Sequence, residues 1–519
     1  MATIGVVNAD IPKTHPSMNT IKRPKKIYFG VFFDGTGNNM IQKTDAEKFK
    51  KESSNSDDWE SELIKTEDKS FTSGANQPYV ENGKYSNVAL LHSIYKCMSQ
   101  EELEKEKQQA DIFIYNIYVE GAGTGAIYSS ALNEKIYNWK GSIKGTGVSG
   151  VSNLVAKAVN IIRKRLTSLN KTDYPSTEIH FDVFGFSRGA TCARLFAYLA
   201  VRGSGERLGC EEEFEASDGY LHFLDDLVLD DHGQKVGLKS ITVDFLGIYD
   251  TVSSIGGLTT ESYANNVTDY GLFSPTLNKV ISTYHLCAMD EFRSHFALTD
   301  IGHAISNPNN AEIFIPGCHS DVGGGYISGE DNSFSLAKFA KEPQLNFAMD
   351  YIHKKTSIKQ SLNEKVFKDL GWLDNDGSYS EDASQTTAFV KRKVYGVYGN
   401  IPLEMMRERT NNKNNRITFN SIPLRYIVDK RIFKEWYSDL LEYAGSEIKG
   451  RHCYYPGDNF SSDSYKRLRK YLHFSAKDSL GHEPSFDKLT FCRYLYFGNK
   501  GDDTRKFLYQ IPNVHERKL

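Results

Sequence analysis

Residues 177–199 read TEIHFDVFGFSRGATCARLFAYL, and this stretch decides the fold. The apolar run from Ile179 to Phe184 predicts a short buried strand, and a helix is predicted to begin near Arg188. Between them lies Gly-Phe-Ser-Arg-Gly at 185–189, which fits the G-x-S-x-G pattern. In that pattern a serine sits on a sharp strand-to-helix turn with its hydroxyl projecting clear of the sheet. The stretch therefore predicts Ser187 as a nucleophile.

The turn also predicts where negative charge would be stabilised. A side chain at Gly185 or Gly189 would collide with the neighbouring strand or helix backbone, so both positions require glycine. Ser187 would lie near the positive end of the helix dipole, and the amide of Arg188 would point at an oxyanion formed there. A five-residue pattern is common in proteins, so the rest of the chain has to supply its context.

Composition and charge limit the classes of protein. The chain has 519 residues, of which 39% are hydrophobic, with 30 Tyr and 30 Phe, which is enough for a sizeable core. A net charge of −3 provides no global positive field, so no nucleic-acid partner is expected. The seven cysteines are scattered singly without a CxxC pair, which indicates buried free thiols in a reducing compartment.

The N-terminus shows no basic stretch followed by an apolar one, as a cleaved secretory signal would. No apolar run approaches the roughly 18 residues that a membrane span requires. We therefore expect a soluble protein made in the cytoplasm without a signal peptide, whose export would need another route.

Strands alternate with helical segments along the first two thirds of the chain. Strands are predicted at 27–33, 111–119, 179–184, 241–249 and 312–316. Helices are predicted after Ser86, an N-cap, and after Gly145, where apolar residues recur with a helical period. This alternation predicts an α/β fold with a mostly parallel central sheet flanked by helices. Chemistry gathers at the carboxyl ends of such strands, which here are followed or ended by Asp34, Glu120, Ser187, Asp250 and His319.

A serine nucleophile needs a base, and the base needs an acid that fixes its tautomer. α/β-Hydrolases supply them in the chain order Ser, acid, His, and Asp250 and His319 follow Ser187 in that order. Asp244 is an alternative acid inside the strand, and His473 is the main rival base, although a buried structural histidine is the simpler interpretation of that residue.

A second oxyanion donor is expected from the loop after the first strand, through the amide of Gly35 or Thr36. The same loop could be a tight turn or a phosphate-binding loop, but it lacks the G-K-[ST] ending of the latter. Asp321 could act as acid or as a partner of His319. A metal site of Asp250, His319 and Asp321 is conceivable but has no supporting ligand spacing, so no metal or cofactor is expected.

Four motifs occur in order and together carry a resemblance: FDGTGNN at 33–39, GFSRGA at 185–190, FLGIYDTV at 245–252 and HSDVGGGY at 319–326. They resemble the α/β-hydrolase domain of the first family of bacterial type VI secretion lipase effectors, over roughly residues 25–355. The resemblance implies a phospholipase A that hydrolyses membrane phospholipids in the periplasm or membrane of target cells. It further implies delivery with a type VI spike or adaptor protein and a cognate immunity protein. It assigns the nucleophile to Ser187 and the acid and base to Asp250 and His319.

The expected organisation has three parts. Residues 1–24 form an irregular arm, residues 25–355 form the α/β-hydrolase catalytic domain with insertions near 42–84 and 203–240, and a helix is expected over 334–354. Residues 356–519 are predicted as a mainly helical region packed on the catalytic domain, as a cap or as a membrane- or partner-binding region.

Two further expectations concern substrate access and function. The apolar residues Leu272, Phe273, Leu277, Val280 and Ile281 could form a lid that dips into a bilayer, or could pack in the core. The competing functions are a cytoplasmic serine esterase acting on soluble acyl esters and a non-catalytic binding protein built on a hydrolase fold.

Overall fold

The structure is a computed structural model. It describes residues 25–38, 40, 85–99, 102, 111–122, 150–167, 176–202, 238–253, 271–272, 275–293, 295–301, 304, 307–326, 328–341, 357–413, 419–422, 428, 433, 436, 450–452, 466–477, 482, 486–487, 490–496 and 506–509. The predicted arm at 1–24, the predicted insertion near 42–84 and all but the last three residues of the predicted insertion near 203–240 lie outside these residues.

The elements up to residue 323 follow the predicted alternation of strands and helices. In chain order they are β1 (Lys26–Phe33), α1 (Asn87–Ile94), β2 (Ile112–Val119), α2 (Val151–Thr167), β3 (Glu178–Phe186), α3 (Arg188–Val201), β4 (Ser240–Tyr249), a 3-10 helix (Pro275–Lys279), β5 (Thr283–Ala288), β6 (Leu298–Thr299), β7 (Ala311–Ile315) and α4 (His319–Gly323).

The later elements mix strands with helices. They are β8 (Ser328–Ala337), β9 (Phe339–Lys341), β10 (Ser357–Ser361), α5 (Glu364–Asp369), β11 (Ser378–Glu381), β12 (Thr387–Tyr395), a 3-10 helix (Gly396–Gly399), α6 (Asn400–Lys413), β13 (Gly450–His452), a 3-10 helix (Arg469–Tyr471), β14 (Phe486–Asp487), β15 (Thr490–Tyr496) and β16 (Lys506–Tyr509).

The centre of the protein is a seven-stranded sheet in the order β13-β7-β5-β4-β3-β1-β2. Every neighbouring pair in it is parallel. The predicted α/β class is therefore confirmed, and the carboxyl ends of these strands meet at one edge of the sheet. The strand β5 was not predicted, because its short sequence TYHLCA is interrupted by His285 and gives no clear apolar run.

Helices cover both faces of the sheet, and side-chain alternation along the strands separates two apolar cores. In β1, Phe29 and Val31 belong to a core with residues of α2 and α3, whereas Phe32 belongs to a core with residues of α1 and α6. This arrangement explains the continuous apolar strand sequences. Side chains on both faces of such a strand are buried, so apolar and polar residues do not alternate along it. The predicted N-cap is confirmed, since the Ser86 hydroxyl accepts from the amide of Ala89 at 3.1 Å.

The pairing of β3 with β4 contains a bulge, at which Phe181 pairs with Val243 and Asp182 with Phe245. The extra residue is Asp244, the alternative acid. Its carboxylate lies 3.0 Å from Nδ1 of His180 and accepts the Thr242 hydroxyl at 2.9 Å. Asp244 therefore has its own partners within the strand.

Two predictions for the second half of the chain were wrong. The helix predicted over 334–354 is not formed at its start, where residues 334–337 lie in β8 and residues 339–341 in β9, and residues 342–354 lie outside the described part. The C-terminal region is not mainly helical among its described residues. The segment TAFVKRKVY of β12 alternates buried and exposed residues with a period of two and pairs antiparallel with β8 and β11.

The predicted lid is also corrected. Leu272, Leu277 and Val280 are buried members of the core that contains α2 and α3, while Ile281 is half exposed and Phe273 lies outside the described residues. In the same described part of the chain, no helix has the length and apolar character needed to cross a bilayer. Cys192 and Cys318 are buried free thiols, as expected.

Candidate active site

Ser187 occupies the turn between β3 and α3 with φ 60° and ψ −126°. A residue with a side chain is strained by about 1–3 kcal/mol in this region. Backbone hydrogen bonds hold it there, because the Ser187 amide donates to Tyr249 O at 3.1 Å and the Val252 amide donates to Ser187 O at 3.3 Å. The turn therefore has the sharp geometry that the G-x-S-x-G pattern predicts.

The two glycines of the turn are required by close approach, as predicted. A Cβ at Gly185 would lie 2.4 Å from the carbonyl oxygen of Gly189, and a Cβ at Gly189 would lie 2.3 Å from the carbonyl oxygens of Phe33 and Asp34. The first turn of α3 is thus packed directly on the end of β1. This contact brings the serine turn beside the loop that follows β1.

Asp250 and His319 form a buried hydrogen-bonded pair at the ends of β4 and β7. His319 Nδ1 lies 2.6 Å from Asp250 Oδ2, and Asp250 Oδ1 accepts the amide of Ala288 at 2.8 Å. Burial alone would raise the pKa of Asp250, but the charge of Arg493 and the hydrogen bond from His319 outweigh it and hold the pKa well below its usual range. Asp250 is therefore a carboxylate.

The imidazole of His319 lies between two aromatic rings. Its centroid is 4.5 Å from that of Phe186, the residue before Ser187, and 5.0 Å from that of Phe296. Because a carboxylate accepts the Nδ1 proton, we assign the neutral tautomer with the lone pair on Nε2. Burial lowers the pKa of His319, and the hydrogen bond and charge of Asp250 oppose this. The ring is therefore a neutral base near neutral pH, packed beside the serine turn.

The rival base His473 belongs to a different pair. Its Nδ1 lies 2.8 Å from Asp321 Oδ1, and its ring stacks on Tyr326 at 3.7 Å between centroids. The other carboxylate oxygen of Asp321 accepts the amides of Cys318 at 3.0 Å and His473 at 2.8 Å. Asp321 is thus a partner of His473 and caps α4. The three residues considered as metal ligands, Asp250, His319 and Asp321, therefore belong to two separate hydrogen-bonded pairs.

The loop after β1 is tied down by the buried Asp34. This carboxylate accepts the hydroxyl of Ser86 at 2.5 Å, the hydroxyl of Tyr118 at 2.6 Å and the amide of Gly35 at 2.7 Å. The Gly35 amide is therefore already engaged, which is a correction to its predicted role as oxyanion donor. Of the two predicted loop donors, Thr36 remains the candidate. Glu120, at the end of β2, pairs with Lys157 of α2 at 2.6 Å.

Sequence reasoning missed two charged residues that surround the Asp250–His319 pair. Arg493 of β15 donates to both oxygens of Asp250, at 2.7 Å and 2.8 Å. Glu291 accepts the His319 amide at 3.2 Å and forms an ion pair with Arg293. Burial alone would raise the pKa of Glu291, but Arg293 and other neighbouring charges lower it to about 2. The sequence signal for Arg493 is a single charged residue inside the apolar segment TFCRYLY. Such a residue does not reveal which distant group it pairs with.

His285, Cys287 and Glu312 form a buried group whose possible ligand atoms lie within 4.8 Å of one another. Hydrogen bonds already use the atoms of His285 and Glu312: His285 Nδ1 lies 3.1 Å from Glu312 Oε2, and His285 Nε2 accepts the Thr251 amide at 3.1 Å. The group therefore acts as a structural link between β5, β7 and the residue that follows Asp250.

Comparisons with known proteins agree with the predicted resemblance. Residues 213–349, about a quarter of the chain, match the family model described as "T6SS, Phospholipase effector Tle1-like, catalytic domain". The match includes Asp250 and His319. It begins after Ser187, which therefore lies outside the matched residues. Comparison with curated proteins finds no match.

Solved structures that are similar to the chain include the following two. A Tle1 effector bound to the VgrG spike of the type VI secretion system is 18% identical, over 88% of this chain and 85% of that chain, with a TM-score of 0.46. An uncharacterised protein from Pseudomonas aeruginosa is 18% identical, over 58% of this chain and 42% of that chain, with a TM-score of 0.27. The family-model match thus confirms the resemblance stated from the four motifs.

Proposed function

We propose that this chain, whose residues 213–349 match the catalytic-domain model of Tle1-like phospholipase effectors of type VI secretion, is a serine hydrolase with phospholipase A activity. Ser187 is the nucleophile, His319 the base and Asp250 the acid. The substrate is an acyl ester of a membrane phospholipid, and the enzyme acts in the periplasm or membrane of a target cell.

The observation that carries the proposal is the Asp250–His319 hydrogen bond of 2.6 Å beside a strained serine turn. The ring of His319 packs on Phe186, so base and nucleophile belong to one local cluster. A buried carboxylate that orients an imidazole next to a serine is the arrangement needed to activate a hydroxyl.

Catalysis then proceeds by acyl transfer. His319 Nε2 removes the proton from Ser187 Oγ, and the alkoxide attacks the ester carbonyl of the lipid. The amide of Arg188 and the amide of Thr36 stabilise the oxyanion. His319 returns the proton to the leaving lysolipid, and a water activated by the same imidazole hydrolyses the acyl-enzyme. Asp250 stays ionised throughout and stabilises the imidazolium.

Delivery and self-protection complete the proposal. The match to the catalytic-domain model of type VI phospholipase effectors supports a spike or adaptor protein that carries the chain and an immunity protein that protects the producing cell. Residues 25–355 then form the catalytic domain, to which the C-terminal region contributes buried residues.

The test is fatty-acid release from phospholipid liposomes and hydrolysis of a soluble short-chain ester, measured in parallel. Ser187→Ala and His319→Gln should each reduce kcat by about 10⁴-fold or more on both substrates, because a catalytic triad acts as a unit. His473→Gln is the matched control, since it removes a buried histidine that pairs with Asp321. It should keep kcat per folded molecule.

Three outcomes would contradict the proposal. An active His319→Gln variant would remove this residue as the base. Hydrolysis of the soluble ester without any release from liposomes would favour an esterase acting on soluble substrates. A folded wild-type protein inactive on both substrates would favour a non-catalytic binding protein.

A further inference from the structure

Arg493 is a buried cation directed at the Asp250–His319 pair from the far end of the chain. Its side chain is 1% exposed. Nη1 donates to Asp250 Oδ1 at 2.7 Å and Nη2 donates to Asp250 Oδ2 at 2.8 Å. Nη1 also donates to Ala288 O at 2.9 Å, and Nε donates to Phe296 O at 3.0 Å. The guanidinium is thus held both by the Asp250 carboxylate and by the backbone carbonyls of Ala288 and Phe296.

The strand that carries Arg493 is attached to the same edge of the site. β15 pairs in parallel with β6, with Leu495 opposite Leu298 and Tyr496 opposite Thr299. The hydroxyl of Thr299 lies 2.6 Å from that of Ser253, just after Asp250. The position of the guanidinium is therefore set by strand pairing and side-chain hydrogen bonds together.

The paired contact determines the orientation of the acid. A planar guanidinium that binds both oxygens of a carboxylate fixes the plane of that carboxylate, which a point charge cannot do. Asp250 Oδ2, which accepts from Arg493, also accepts from His319 Nδ1 at 2.6 Å. Rotation of the carboxylate about its Cβ–Cγ bond would break the contacts with Arg493.

We infer that Arg493 is a positioning residue of the proposed site, and that the C-terminal strand β15 completes the site by holding Asp250 in register with His319. This inference rests on the proposed function. It assigns part of the catalytic geometry to the C-terminal region.

Loss of the Arg493 charge should change the pH dependence of the reaction, which loss of a purely structural residue would not do. The charged groups acting on the pair are Arg493 from β15, and Glu291 and Arg293 from the segment after β5. Removing the cation leaves the negative charge of Asp250 fully effective on His319, which favours the imidazolium. It also leaves burial at Asp250 opposed only by His319, which raises the pKa of that carboxyl. Both effects reduce the fraction of working base at acidic pH.

The test compares Arg493→Met and Arg493→Lys with wild type in the full chain, using the soluble short-chain ester. Arg493→Met should lower kcat by about 100-fold with KM unchanged, because the acid is misplaced and no substrate contact is lost. The acid limb of its kcat profile should move up by about one pH unit. Arg493→Lys keeps the charge and loses the two-pronged contact, so kcat should fall about tenfold with the acid limb unmoved.

The matched control is Arg392→Met. Arg392 is also buried and comes from the C-terminal region, but it donates to backbone carbonyls of Trp372, Arg469 and Leu472. Its loss should lower thermal stability and leave the acid limb in place.

Wild-type kcat and an unmoved acid limb in Arg493→Met would overturn the inference. If Arg493→Met does not fold, wild-type kcat in Arg493→Lys would overturn it equally. Ser187→Ala in the same assay separates the two levels. An active Ser187→Ala overturns the proposed function, whereas an inactive Ser187→Ala beside a fully active Arg493→Met overturns only the role of Arg493.

Discussion

Two of the three residues proposed for catalysis have a backbone conformation that disfavours a side chain. Ser187 has φ 60° and Asp250 has φ 45°, and each follows directly on a strand of the central sheet. The two are coupled, because the Ser187 amide donates to Tyr249 O, the carbonyl just before Asp250. Strain at neighbouring strand ends is therefore held by the sheet, and it directs both side chains out of the strands.

This strain predicts a stability effect at Ser187 that does not depend on activity. Glycine adopts φ 60° and ψ −126° without a Cβ penalty, whereas alanine retains the penalty. Ser187→Gly should therefore be more stable than Ser187→Ala by about 1 kcal/mol. Thermal or chemical unfolding of the two variants measures the difference.

The control for this comparison is Asn160, a residue in the interior of α2. There the order should reverse, with Asn160→Gly less stable than Asn160→Ala by about 1 kcal/mol. Equal stabilities of the two Ser187 variants would show that the turn is relaxed.

At the scale of elements, α3 is the helix around which the site is assembled. Its buried Arg194 donates to the carbonyls of Thr299, Leu272 and Asp300, at 2.9, 2.7 and 2.8 Å. These bonds tie the segment after β4 and the strand β6 to the back of the helix. They also explain why Leu272 is a core residue and not part of a lid.

The contact of α3 with β1 should be intolerant of a single methyl group. Gly189→Ala would place a Cβ 2.3 Å from two backbone oxygens that cannot move independently of the sheet. We expect a loss of about 3 kcal/mol in the free energy of unfolding, together with loss of ester hydrolysis, because the helix and the Arg188 amide shift. Chemical denaturation and the soluble-ester assay measure the two effects.

Gly399→Ala is the matched substitution, since its Cβ would meet its nearest neighbour at 3.5 Å, an ordinary contact. It should change stability by less than about 1 kcal/mol. Comparable losses in both variants would contradict the argument from close approach.

At the scale of the whole molecule, the C-terminal region contributes buried residues to the core of the α/β sheet. Trp372, Met406 and Phe474 belong to the same buried cluster as Tyr249 and Tyr284 of the sheet. β13 extends the sheet beyond β7, and Arg493 reaches Asp250. A boundary near residue 355 therefore divides a continuous apolar core.

A fragment of residues 1–356 should accordingly fail to fold. Removal of the C-terminal region exposes one side of the larger apolar cluster and leaves Asp250 buried without its cation. We expect the fragment to bind ANS and to show no cooperative thermal transition, in contrast to the full chain. A cooperative transition with a native near-UV circular dichroism spectrum would instead identify an independent catalytic domain.

Local sequence was sufficient for the elements that depend on local physics. Continuous apolar runs predicted β1 to β4 and β7, because strands buried on both faces need them. The glycines at 185 and 189 marked a turn that only glycine fits. The positions of Asp250 and His319 at strand ends predicted that these two side chains lie together, because parallel strands share one carboxyl edge.

Tertiary structure alone decided the features that join distant segments. The pairing of Asp321 with His473, the engagement of the Gly35 amide by Asp34, and the clamp of Arg493 on Asp250 have no local signature. Short strands such as β13 carry too few residues for a periodic pattern. Sequence determined which polar groups lie at the carboxyl edge of the sheet. Only the tertiary structure determined which buried groups pair with them, because such pairing depends on distance in space and not on separation in sequence.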